Sequence, residues 1–193
     1  FMTTRKGIVK KSILKEYDSA RKDGLIAINL DDGDELIGVK LTGGHEEIIL
    51  GTRNGKAIRF SEEEVRGMGR TTRGVKGIEL DRDDWVVSMD SVTEGGELMV
   101  ISENGFGKRT ALSEYNRQSR GGKGSLTMRL TPKTGQLVAI KVVKPGDELM
   151  IITKEGIIIR IDVSDASLMG RYTQGVTLIR LQENDKVVDV ARV

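Results

Sequence analysis

The sequence predicts an all-β fold, a propeller-like array of four-stranded blades built from four repeats of about fifty residues. Three observations carry that prediction. Short motifs recur in one phase along the whole chain. The apolar runs are short and are split by turns rich in Gly, Asn, Lys and Thr. The composition suits many tight turns, with 24 glycines, only two prolines and 4% aromatic residues.

The repeats are legible directly. "RKGIVKKS", "RNGKAIRFS", "ENGFGKRT" and "KEGIIIRI" place glycines at 7, 55, 105 and 156, at intervals of 48, 50 and 51. A second series, "GLIAINL", "GVKGIEL", "GSLTMRL" and "GVTLIRL", starts at Gly24, Gly74, Gly124 and Gly175 and reaches a leucine six positions later. A third series opens an apolar run at Leu36, Val86, Leu137 and Val187. The units are assigned to 1–47, 48–97, 98–148 and 149–193, all within one domain. The strand that precedes the first glycine starts at Ile48, Leu98 and Leu149 in the later units but abruptly at Phe1 in the first. Phe1 is therefore read as a cut inside a longer polypeptide.

Within each unit four runs read as strands. The third unit shows them as "LMVIS", "GKRTAL", "SLTMRL" and "QLVAIKVV". "SLTMRL" and "IAINL" alternate apolar with polar residues, the signature of a half-buried strand. Helical periodicity is confined to "SILKEY", "SEEEVRGM", "TALSEY" and "SDASLMG", each long enough for a single turn. Trp85 and most methionines lie in or beside apolar runs and are read as core.

With 37% hydrophobic and 31% charged residues the chain reads as a globular protein with a substantial core. There is no cysteine, hence no disulfide framework and no thiolate chemistry, as suits a cytoplasmic setting. No apolar run reaches the about eighteen residues that span a bilayer, so no membrane partner is expected. His45 is the only histidine, in the turn "GGHEE", and reads as an exposed turn residue. "DDGDE" lacks the spacing and terminal Glu of a calcium-binding loop. No catalytic constellation, metal site or cofactor site is expected in this chain.

The net charge of +2 conceals segregation. Four residues after each first-series glycine stands a cation: Lys11, Arg59, Arg109 and Arg160, with Lys10 and Lys108 beside two of them. The heptapeptides ending at the second glycine, "DSARKDG", "MGRTTRG", "QSRGGKG" and "MGRYTQG", add Arg21, Lys22, Arg70, Arg73, Arg120, Lys123 and Arg171, and Lys76 follows closely. Acidic residues occupy other phases, in "DDGDE", "DRDD", "EGGE" and "ENDK". If equivalent positions share a rim, these cations form a basic stripe, the footprint expected for a phosphate backbone. In residues 118–124, the glycines are expected to bring phosphate oxygens onto main-chain N–H groups between Arg120 and Lys123. Gln118 would bind phosphate or brace the loop.

"QSRGGKG" resembles the signature box of the DNA gyrase A-subunit tail. Gln118, Arg120, Gly121, Gly122, Lys123 and Gly124 match the family pattern, and Ser119 replaces a cation. "DGDELIGVKLT", "GKAIRFSEEEVRGMGRTTRGVKGIEL", "NGFGKRTALSEY" and "GRYTQGVTLIRL" resemble the same tail, so the resemblance covers essentially the whole chain. It implies a β-pinwheel whose basic perimeter wraps double-stranded DNA without sequence preference. It also implies a parent enzyme, bacterial and nucleoid-associated, that introduces negative supercoils. There the N-terminal breakage-reunion part of the same polypeptide and the gyrase B subunit, in an A2B2 complex, would use ATP and Mg2+. The family's box lies in its first blade and this one in the third unit, which leaves open whether 118–124 is the principal box or a repeat-related copy. The tail of topoisomerase IV is the alternative within the family. A protein-interaction propeller is the alternative from another class, although seven scattered aromatics make a poor recognition face.

Overall fold

The computed structural model describes residues 1–19 and 22–193. Among the described residues fifteen strands lie in chain order. The first unit holds β1 (Met2–Thr4), β2 (Ile8–Lys10) and β3 (Leu36–Val39). The second holds β4 (Glu47–Thr52), β5 (Lys56–Ser61), β6 (Val75–Lys76) and β7 (Val86–Val92). The third holds β8 (Glu97–Ser102), β9 (Phe106–Ala111), β10 (Ser125–Leu126) and β11 (Leu137–Val143). The fourth holds β12 (Glu148–Thr153), β13 (Ile158–Asp162), β14 (Val176–Thr177) and β15 (Val187–Arg192). The four expected single turns are present as 3-10 turns at Leu14–Tyr17, Glu62–Glu64, Leu112–Glu114 and Val163–Asp165. No helix among the described residues is long and apolar enough to cross a membrane.

The sheets run β3-β1-β2-β6, β7-β4-β5-β10, β11-β8-β9-β14 and β15-β12-β13. Blade and repeat therefore do not coincide. The outermost strand of each of the first three sheets comes from the next repeat, so neighbouring sheets are laced together covalently. "IAINL", expected as a strand, is irregular: the second strand of a preceding sheet would be its partner, and none lies beside it among the described residues. The inner strands β3, β7, β11 and β15 pack successively around the hub, which leaves β6, β10 and β14 on the outer edge.

The hairpin glycines follow from turn geometry. Gly7, Gly55, Gly105 and Gly156 have φ of 80°, 82°, 81° and 83°, and each N–H donates back to the carbonyl of Thr4, Thr52, Ser102 or Thr153 at 3.0 Å. Such short hairpin loops need one residue in the left-handed region, which glycine enters without steric cost. Asp34, Asp84 and Asp185 accept N–H bonds from Lys6, Asn54 and Glu155 at 2.9–3.1 Å, pinning these turns.

Cores lie between sheets rather than within one. Along β4, Ile48 and Leu50 join Phe1, Val9 and Phe60 toward the first sheet, while Ile49 joins Leu98, Val100 and Ile140 toward the third. Along β8, Met99 and Ile101 turn instead toward Leu149 and Ile151. A strand buried on both faces must be apolar at consecutive positions, which is why "IIL" and "LMVI" do not alternate.

Candidate nucleic-acid interface

The heptapeptide loops at 68–74, 118–124 and 169–175 lie on the outer side of the preceding sheet, and the same contacts recur at these three junctions. The loop enters by pairing with the cation-phase residue of the previous repeat: Met68, Gln118 and Met169 donate their N–H groups to the carbonyls of Lys11, Arg59 and Arg109, each at 2.8 Å. Two residues on, the N–H groups of Arg70, Arg120 and Arg171 donate to Glu16, Glu64 and Glu114 at 2.6, 2.9 and 2.8 Å. These carboxylates sit on the 3-10 turns of the preceding repeat. The guanidinium groups of the three arginines then reach the carbonyls of Ile26, Lys76 and Leu126. The loop closes at Gly74, Gly124 or Gly175, where a Cβ would lie only 2.5–2.6 Å from a carbonyl oxygen of Val9, Ala57 or Gly107. A Cβ at Gly24 would meet nothing within 4 Å among the described residues.

The paired glycines of the sequence motif thus serve docking. Gly121 (φ 78°) donates its N–H to the Gly77 carbonyl at 2.7 Å, and Gly122 donates to Ser119 at 3.3 Å. With the Arg120 N–H on Glu64, the expected anion-binding nest is replaced by bonds within the protein. What approaches the main chain so closely is the neighbouring sheet. Gln118 braces the loop, its amide nitrogen donating to Ser125 Oγ at 3.1 Å.

Two expected contacts are corrected outright. Lys10 and Lys108 are completely buried. The Lys10 ammonium donates to the carbonyls of Ala27 (2.8 Å) and Arg70. The Lys108 ammonium donates to the carbonyls of Gly170 (2.7 Å) and Arg171 and to Thr173 Oγ1 (3.0 Å). Each props a heptapeptide loop from beneath, and burial pushes the Lys108 ammonium down to about 8. At the same phase Ile58 lies under Gly122 and Gly124, so an apolar prop carries the glycine-rich loop.

The cation phase also has an internal role. Arg59, Arg109 and Arg160 pair with Glu47, Glu97 and Glu148, which open the adjacent strands. Arg59 further donates to the Leu112 carbonyl at 2.9 Å, Arg109 to that of Ala166 at 2.7 Å, and Lys11 to that of Glu62 at 3.0 Å. These side chains staple one sheet to the next. Arg73 is exposed but forms a two-pronged pair with Asp31, whose carboxyl it holds below the ordinary range. Carboxylates therefore do reach the rim, contrary to the expected segregation.

What remains open to a ligand is part of the expected set together with four further arginines. Lys22, Lys76, Lys123 and Ser119 are exposed, as are Arg66, Arg117, Arg129 and Arg180, which stand outside the phases singled out from the sequence. None of these cations has an ion pair among the described residues. A signal for Arg129 and Arg180 existed, since both stand five positions after a second-series glycine. Arg21 lies outside the described residues. Trp85 is not core but half-buried, stacked between the guanidiniums of Arg5 and Arg53 at 4.5 and 4.6 Å. His45 is exposed and bonds Glu63 at 2.7 Å. No group of three or more metal-ligating side chains occurs among the described residues.

A family model described as the DNA gyrase C-terminal domain, beta-propeller, matches residues 1–42, 46–93, 96–144 and 147–193. The DNA gyrase A protein of Salmonella typhimurium is 46% identical over 193 residues, covering 100% of this chain and 22% of that protein. Its Escherichia coli K12 counterpart is 45% identical over the same length and share. The chain thus spans about a fifth of the length of these curated relatives. Among solved structures, the C-terminal domain of a DNA topoisomerase IV superposes with a TM-score of 0.94 at 32% identity, covering 100% of this chain and 60% of that one. A DNA gyrase A C-terminal domain gives 0.91 at 29% identity, covering 99% and 64%.

Proposed function

The chain belongs to the DNA gyrase C-terminal domain family, and on that premise we propose that it is a non-catalytic module that binds duplex DNA by its phosphates and bends it around the outer edge of the sheets. One observation carries the reading. Exposed cations outside any ion pair among the described residues recur on the outermost strands, in the heptapeptide loops and just past the strands, at Lys76, at Lys22 and Lys123, and at Arg129 and Arg180. Phosphate contacts of this kind supply affinity without sequence information. DNA is stiff over lengths below roughly 150 base pairs, so a bend must be held by contacts spread along a curved path. A perimeter with one basic loop on each of the first three sheets supplies that spread, and the lacing of these sheets to the next repeat keeps the path rigid.

In the parent protein this module would steer strand passage by a type II topoisomerase toward negative supercoiling. The N-terminal breakage-reunion part and the gyrase B subunit, assembled as A2B2 in the bacterial cytoplasm, would supply the ATP- and Mg2+-dependent chemistry. Ligation of relaxed, nicked plasmid in the presence of the chain tests the wrap: a shifted linking-number distribution is expected, and an unchanged one contradicts it. The similarity to a topoisomerase IV domain supports a second reading, DNA binding without supercoiling. That reading expects salt-sensitive binding together with an unchanged linking number.

A further inference from the structure

The three loop junctions share a backbone but differ in charge, and the difference singles out one of them. At each, a residue five positions after a second-series glycine donates its N–H to the next loop: Asn29 to Thr72 at 3.0 Å, Glu79 to Gly122 at 2.8 Å, and Arg129 to Thr173 at 3.0 Å. Beneath the same loops lie Lys10, Ile58 and Lys108. The glycine-rich loop therefore carries Arg120 and Lys123 with Lys76 and Glu79 alongside, Glu64 bonded to it and Asp81 near Lys123. The loop at 169–175 carries Arg171, the exposed Arg129 alongside and the Lys108 ammonium directly underneath, against Glu114 alone. Tyr172, 62% exposed, stands at its tip.

We propose that the junction of the third and fourth sheets is a second phosphate-binding site, formed by Arg129, Arg171 and Tyr172 over the buried Lys108, and that it grips the DNA backbone more strongly than the glycine-rich loop does. The inference rests on the DNA-binding reading above. Three positive charges face one carboxylate here, whereas at residues 118–124 Arg120, Lys123 and the flanking Lys76 face Glu64, Glu79 and, beside Lys123, Asp81. The Lys108 charge is buried and so escapes most screening by salt. The Arg129 guanidinium has no hydrogen bond or ion pair among the described residues and presents donors in a fork that suits phosphate oxygens. The Tyr172 hydroxyl adds a neutral donor of the kind that positions a backbone.

The test exchanges the two flanking residues, both exposed and neither with a side-chain hydrogen bond or ion pair among the described residues. Binding of the 193-residue chain to a mixed-sequence duplex is measured between about 50 and about 200 mM salt. R129E makes the log–log salt slope shallower by at least about 0.9 and weakens binding about tenfold at the lower salt. E79R steepens the slope by about 0.9. R82E, at a turn residue 96% exposed on its side chain, controls for net charge. If R129E binds as the wild type does, or if R82E weakens binding equally, the second site is overturned while the DNA-binding reading stands. If the wild type shows no salt-dependent affinity, the reading itself fails and the site with it. Matching thermal unfolding of all the variants shows that the fold is unchanged; a large loss in R129E would make the residue structural and refute the proposal.

Discussion

Replacing Arg120 and Lys123 separately by alanine divides the glycine-rich motif into its two physical parts. Arg120 Nε donates to the Glu64 carbonyl at 2.9 Å and Nη1 to the Lys76 carbonyl at 3.1 Å, tying the loop to the preceding sheet. Bonds from a charged donor are worth about 1.5–3 kcal/mol each when sheltered. The side chain is only partly buried, so both together contribute about 1–2 kcal/mol. For a chain of this length that loss lowers Tm by about 3–6 °C. Lys123 is exposed, near Asp81 but in no ion pair among the described residues, so its removal changes stability by less than about 0.5 kcal/mol. It removes a phosphate contact instead, and the salt slope becomes shallower by about 0.9. Thermal unfolding followed by circular dichroism, with DNA titrations at several salt concentrations, reads both quantities. A Lys123→Ala variant that loses stability, paired with an Arg120→Ala variant that keeps it and loses the salt slope, would refute this division of labour.

Gly124→Ala and Gly24→Ala separate sheet docking from turn strain. Both positions have positive φ, 69° and 76°, so each substitution incurs about 1–2 kcal/mol of left-handed strain. Only at Gly124 does the new Cβ meet the Ala57 carbonyl, at 2.6 Å, which forces β10 away from β5. Urea unfolding should show Gly124→Ala the less stable by about 2 kcal/mol or more; equal losses would assign the glycines to turn geometry alone. Lys108 gives a pH test. Its folded-state pKa of about 8 lies below the ordinary lysine value of 10.5, so the unfolded chain binds more protons between those values. Stability should therefore rise with pH across that window, by at most about 3 kcal/mol, and this contribution should level off at its lowest below about pH 8. Lys108→Met should flatten the dependence, and an identical profile in that variant would show the group titrating normally.

The periodic features were legible because they are local. A hairpin turn requires its left-handed glycine wherever it occurs, so Gly7, Gly55, Gly105 and Gly156 announced the repeat and the strands on either side. The strand exchange was not legible. "SLTMRL" shows the same alternation whether Ser125 pairs within its own repeat or, as it does, with Ala57 of the one before. The buried lysines carried a signal that single residues hid: at the phase of Lys10 and Lys108 the other units have Ile58 and Ile159, a position that faces inward. Likewise Glu47, Glu97 and Glu148 stand twelve residues before Arg59, Arg109 and Arg160, and that spacing marks hairpin partners rather than a free stripe. Docking of each loop through Glu16, Glu64 and Glu114 depends on contacts 54–57 residues apart, beyond any local pattern.

A wrapped duplex must follow the outer edge of successive sheets. Hydroxyl-radical footprinting of the chain on a duplex of about 150 base pairs measures that path directly. A bent duplex held on one side should show protections recurring about every 10 base pairs over several helical turns. A single short protected patch, or uniform protection without that period, would contradict it.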